Sequence, residues 1–99
     1  MKFNALITSL AVAMSVSLSL AGSFEDGVAA HKRGDYGAAL KFFKAVAEQG
    51  DATAQYNLGL MYSDGQGVPQ DYAEAMRWYK LAAQQGDSTA QHNLGVMYA

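Results

Sequence analysis

The side chains able to do chemistry are few in this chain. His31 and His92 are its two histidines, and it has no cysteine. A metal site needs three or four ligands at close spacing, and these histidines stand far apart with no carboxylate set between them. No serine stands in a motif that pairs it with a base, and without cysteine there is no thiolate nucleophile. Glu25 and Asp26 are adjacent, so on a helix they point in different directions and act as solvated charge near its N-terminus. Gly65-Gln66-Gly67 is too short for a phosphate-binding fingerprint and runs into Val68-Pro69 instead of a helix start. The expectation is no catalytic residue, no metal and no cofactor, which leaves binding.

The elements that would carry a binding surface are written twice. Asp51-Ala-Thr-Ala-Gln-Tyr-Asn-Leu-Gly-Leu-Met-Tyr-Ser63 returns 36 residues later as Asp87-Ser-Thr-Ala-Gln-His-Asn-Leu-Gly-Val-Met-Tyr-Ala99, with nine of the 13 positions identical. The same interval links Asp35-Tyr-Gly-Ala-Ala-Leu-Lys-Phe-Phe-Lys44 to Asp71-Tyr-Ala-Glu-Ala-Met-Arg-Trp-Tyr-Lys80. A period of this length means stacked supersecondary units. Within the unit 51–86, Ala54, Leu58 and Met61 form one apolar stripe of a helix. Glycines and Pro69 then break the pattern over Ser63 to Gln70. Asp71 with Glu74 reads as a capping box that opens a second helix, whose buried face is Ala75, Trp78, Tyr79, Ala82 and Ala83. Gln85-Gly86-Asp87 repeats the stop-and-cap device of Gln49-Gly50-Asp51.

Helices are therefore predicted at 24–33, 35–49, 52–63, 71–85 and 88–98, with no strand. The fold class is all-α: a superhelix, or solenoid, of antiparallel helix hairpins, about two and a half repeats long. Its units are 24–50, 51–86 and an incomplete 87–99. The first unit aligns with the second at a spacing of 32 in its first helix and 36 in its second, so its loop is four residues shorter. Gly59 and Gly95 lie inside predicted helices, where glycine costs about 1 kcal/mol relative to alanine. Close approach of a partner helix would explain them, and Gly27 holds the matching place in the first unit.

Ahead of the repeats, Met1 to Asn4 carries one lysine, Ala5 to Leu20 is apolar with scattered Ser and Thr, and Ser19-Leu20-Ala21 suits a signal peptidase. This is the pattern of a cleavable secretory signal over 1–21, placing the repeat domain 22–99 in the periplasm or outside the cell. Removing that segment takes away Lys2 and leaves six basic and nine acidic side chains, a net charge of −3. No basic stripe for nucleic acid remains, and no second apolar span would hold the chain in a membrane after cleavage.

The pattern Ala54-x3-Leu58-Gly59-x2-Tyr62, followed by Gly65-x-Gly67-Val68-x2-Asp71 and Trp78-Tyr79-x2-Ala82-Ala83-x2-Gly86, resembles the Sel1-like repeat, a relative of the tetratricopeptide repeat with a longer loop. The resemblance covers 51–86 and the half-unit 87–99. The first unit, with Gly34-Asp35-Tyr36-x2-Ala39-Leu40 and its short connection, is closer to a tetratricopeptide repeat. The resemblance implies a right-handed α-solenoid serving as an adaptor that binds a protein or peptide on a concave face. It also admits a weaker alternative, an enzyme-like activity on cell-wall or β-lactam compounds. The relatives credited with that activity are rich in disulfides, which this chain cannot form.

Related repeats place the first helix of each unit on the concave face. The binding candidates are then Phe24 and His31 in the first unit, Tyr56, Asn57 and Leu60 in the second, and His92, Asn93 and Val96 in the third. Aromatic, imidazole and small apolar groups suit an extended peptide. The same residues also suit packing between neighbouring helices. Met97-Tyr98-Ala99 leaves apolar residues that a following helix would cover, so the expectation is either self-association through the last helix or a piece of a longer array.

Overall fold

The computed structural model describes residues 23–99, and the sequence-predicted signal over 1–21 lies outside them. Five helices occur among the described residues: α1 over 23–32, α2 Tyr36–Glu48, α3 Ala52–Asp64, α4 Tyr72–Gln84 and α5 Ser88–Tyr98. No strand occurs among these residues. Consecutive helices pack on one another, α2 on α3, α3 on α4 and α4 on α5, which is the one-dimensional stacking of a solenoid.

A Gly-Asp pair makes three of the four helix junctions. At Gly50-Asp51 the Gly50 N–H donates to the Ala47 carbonyl at 3.0 Å and the Asp51 N–H to the Val46 carbonyl at 3.4 Å. This is the Schellman closure, with Gly50 at φ +100° supplying the left-handed residue. The Asp51 carboxylate then accepts from the Ala54 N–H at 2.8 Å and caps α3. One aspartate thus ends one helix with its backbone and starts the next with its side chain. Gly34-Asp35 and Gly86-Asp87 repeat both halves of the device.

The fourth junction differs. Asp71 caps α4 by accepting from the Glu74 N–H at 3.1 Å, but its own N–H donates to the Tyr62 carbonyl at 2.9 Å. The Glu74 carboxylate is taken by Arg77, 2.7 Å away. Only half of the expected capping box forms, because the longer loop brings Tyr62 within reach of the Asp71 amide and Arg77 competes for Glu74.

The core holds Phe43, Leu58, Met61, Trp78 and Tyr79 among fully buried alanines such as Ala39, Ala54, Ala75 and Ala82. The predicted stripe Ala54, Leu58, Met61 is buried as expected. Gly59 is closely packed: a Cβ there would lie 2.5 Å from the Tyr79 ring. Gly95 departs from the expectation, since a Cβ there would meet nothing within 4 Å. Among the described residues no ring packs on Gly95 as Tyr79 does on Gly59.

Glutamines tie one unit to the next. Gln55 is buried and donates from Nε2 to the Ala47 carbonyl at 3.2 Å. Gln91, 36 residues on, donates to the Ala83 carbonyl at 3.1 Å. Gln85 Nε2 reaches both the Gly50 carbonyl at 2.8 Å and Gln55 Oε1 at 2.9 Å. Gln55 and Gln91 thus add a second donor to the Ala47 and Ala83 carbonyls, which already receive the Gly50 and Gly86 N–H groups.

Candidate functional site

α1 and α3 are the first helices of successive units and lie side by side on one face. Between them opens a cavity of about 300 Å³, lined by Val28, His31 and Lys32 from α1 and by Asn57, Leu60, Met61 and Asp64 from α3. Phe43 of α2 contributes an apolar wall and Gln66 of the loop a polar one. His31 Nε2 lies 3.0 Å from Gln66 Oε1, within hydrogen-bond distance, and the imidazole sits 5.1 Å from the Tyr36 ring. Gln66 reaches this place because the following Gly67 lies directly on the backbone of Tyr36: a Cβ at Gly67 would be 2.7 Å from the Tyr36 carbonyl oxygen. The longer second loop therefore folds back over the start of α2.

A second cavity of about 230 Å³ follows between α3 and α5, lined by Leu60, Ser63, Tyr79, Asn93, Val96 and Met97. Leu60 is the wall the two cavities share. Asn57 lines the first and Asn93 the second, at equivalent places in the repeat. Each cavity thus combines an apolar lining with the carboxamide of an equivalent asparagine, which can donate and accept a hydrogen bond at once, and the first adds the carboxamide of Gln66. Tyr79 is 1 % exposed. Burial raises its pKa above the usual tyrosine value, while hydrogen bonding from Asn93 and Ser63 opposes the rise.

The sequence candidates divide in two. His31, Asn57, Leu60, Asn93 and Val96 line the two cavities. Phe24 instead turns into the core, with its ring 5.8 Å from Phe43. Tyr56 is half-buried and packs its ring 5.8 Å from Tyr79. His92 is exposed and lines neither cavity. Lys32, Asp64, Gln66, Tyr79 and Met97 belong to the cavities without having been singled out for binding. Lys32 follows Val28 by one helical turn, a signal the pattern did contain. Gln66 comes from the loop, and only the four extra loop residues hinted that it could reach α1.

Among the described residues no three His, Asp or Glu side chains gather as a metal cluster. None of the described helices is long and apolar enough to cross a membrane.

Stacked helix hairpins of 36-residue period, with a glycine-containing loop folded back on the preceding unit, define a class of repeat solenoid. The sequence model of the Sel1 repeat matches at residues 18–51, 52–87 and 88–99, and the chain belongs to this family of protein-interaction scaffolds. It is similar to a solved Sel1-type protective antigen of uropathogenic Escherichia coli, with 43% identity and a TM-score of 0.75, over 86% of this chain and 20% of that one. A Sel1 repeat protein from Oxalobacter formigenes is 39% identical with a TM-score of 0.61, over 62% of this chain and 25% of that one. Among curated proteins, the DAP3-binding cell death enhancer 1 of Rattus norvegicus is 41% identical over 64 residues, and that of Mus musculus 40%. The alignment takes in 65% of this chain but 12% of the length of either relative.

Proposed function

We propose that this chain is an exported, non-catalytic interaction module that takes an extended polypeptide segment on the concave face carried by α1, α3 and α5. One observation carries the reading: two cavities in line, with Leu60 as their common wall and a carboxamide in each. Packed helices lie about 8–10 Å apart and an extended chain advances about 3.3 Å per residue. Apolar side chains about three residues apart would then fill both cavities. Asn57 and Asn93 would bond the backbone between them, as in other modes of extended-peptide capture. A protein partner is also in keeping with the name of the mammalian relatives, which describes them as DAP3-binding. Export rests on the apolar segment and the Ser19-Leu20-Ala21 site.

Selection from a displayed peptide library tests the binding. Enriched peptides should carry the spaced apolar pair and should lose affinity for Leu60→Asp, which places a charge in both cavities. Equal affinity for that variant would sink the assignment. For export, expression in a Gram-negative host followed by N-terminal sequencing should give a product beginning at Gly22. A cytoplasmic product that retains the segment would count against it.

A further inference from the structure

The two cavities are one site written twice. Each of the six residues lining the second has its counterpart, one repeat earlier, in the lining of the first. Four of these pairs keep an apolar group or an asparagine in place. Two change chemistry: Phe43 stands for Tyr79, and His31 for Ser63. The ring itself is held alike in both units. A Cβ on the glycine beneath it would come closest to Cε1 and next to Cδ1, at Gly27 for Phe43 and at Gly59 for Tyr79. The para position therefore comes to an equivalent place in each cavity, and only Tyr79 carries a hydroxyl there.

In the second cavity that hydroxyl is hydrogen-bonded by Asn93 and Ser63. In the first, the equivalent Asn57 has a phenyl ring in its place, with no hydroxyl to bond. His31 lies within hydrogen-bond distance of Gln66 instead. Asn57 is half-buried, and no side-chain hydrogen bond among the described residues involves it. A ligand that covers this carboxamide must bring a partner for it, because a polar group buried unmet costs more than a bond contributes.

Charge and shape narrow that ligand. Lys32 and Asp64 at the rim are exposed and of opposite sign, so the lining favours no net charge. A volume of about 300 Å³ between Val28, Phe43, Leu60 and Met61 suits a ring, which an aromatic neighbour favours further. A phenol hydroxyl both donates and accepts, as the asparagine side chain does, whereas an indole N–H only donates.

We propose that the first cavity is a tyrosine pocket, in which a tyrosine of the bound segment lays its ring against Phe43 and hydrogen-bonds its hydroxyl to Asn57. The ligand thereby supplies the group that Tyr79 supplies in the second cavity, which takes an aliphatic side chain. This rests on peptide binding by the α1, α3 and α5 face and adds which side chain is selected, and where.

Fluorescein-labelled peptides carrying tyrosine and leucine three positions apart, in both orders, are titrated with the full chain and read by fluorescence anisotropy. The same peptides with phenylalanine for tyrosine are the comparison. In at least one order the tyrosine peptide should bind about tenfold more tightly than its phenylalanine counterpart. Phe43→Tyr puts the missing hydroxyl back into the wall, and Asn57→Leu removes its partner. Each should bring the two peptides to within about twofold of one another. Circular dichroism shows that a variant is folded, and either folded variant decides the point. Equal affinity of the tyrosine and phenylalanine peptides for wild type would overturn the proposal. If both then lose affinity for Leu60→Asp, peptide binding on this face stands without the tyrosine pocket. A tyrosine preference that a folded variant retains in full also overturns it, because the hydroxyl is then read elsewhere. Saturable binding by none of the peptides removes both the pocket and the peptide-binding face.

Discussion

The Tyr79 ring lies directly on Gly59, close enough that a Cβ at that glycine would sit 2.5 Å from ring Cε1. This contact joins the two helices of the second unit, and the ring also lines the cavity between α3 and α5. A tolerance for bare backbone at one position thus shapes both packing and the candidate surface.

Gly59→Leu should lower stability by about 1–3 kcal/mol through overpacking. Gly95→Ala should instead raise it by up to about 1 kcal/mol, because it removes the helix-interior cost of glycine in open space. Urea midpoints of the two variants check this, and opposite signs are required.

The Tyr79 hydroxyl makes stability pH-dependent on the alkaline side. Its folded-state pKa is raised by burial, so above about pH 10, where an unfolded tyrosine ionises, the unfolded chain binds fewer protons and gains on the folded one. The stabilisation is complete below that pH and is lost as pH rises through the folded-state value. Thermal melts of wild type and Tyr79→Phe between pH 8 and 11 should converge as the pH increases.

Gln55→Ala should cost about 1–3 kcal/mol. It removes two hydrogen bonds of a buried side chain, one to the Ala47 carbonyl and one from Gln85, each worth about 0.5–1.5 kcal/mol, although the Ala47 carbonyl keeps the Gly50 N–H. Gln91→Ala loses only the exposed bond to Ala83 and should cost less. Denaturant unfolding ranks the two.

Arg77→Met should change stability by less than about 1 kcal/mol, because its pair with Glu74 is surface-exposed and screened. Arg77 holds the Glu74 carboxyl below its usual pKa. That contribution is present above the ordinary glutamate pKa and is lost as pH falls through the lowered one. The small difference between wild type and Arg77→Met should accordingly shrink on acidification, which pH-resolved melts will show.

Much of the architecture was legible in the order of residues. The 36-residue echo, the Gly-Asp junctions and the stripe Ala54, Leu58, Met61 are local signals: one helix period, one cap, one left-handed residue. Each acts within a few residues, so the helix positions follow without knowledge of what packs against them. The site was legible only in part. Helical register grouped His31, Asn57, Leu60, Asn93 and Val96, which line the two cavities, but register cannot separate Tyr56, which leans on Tyr79, from Asn57, which opens to a cavity.

The repeat pattern alone therefore established a helical solenoid and the place of Gly59 in a close contact, since periodicity and capping are properties of neighbouring residues. Three matters required the folded chain. Gln66 meets His31 across 35 positions, Asp71 exchanges a capping-box bond for the Tyr62 carbonyl, and Gly95 stands open where Gly59 is filled. Each depends on which distant atoms arrive at the same point, and loop length and helix stacking set that meeting.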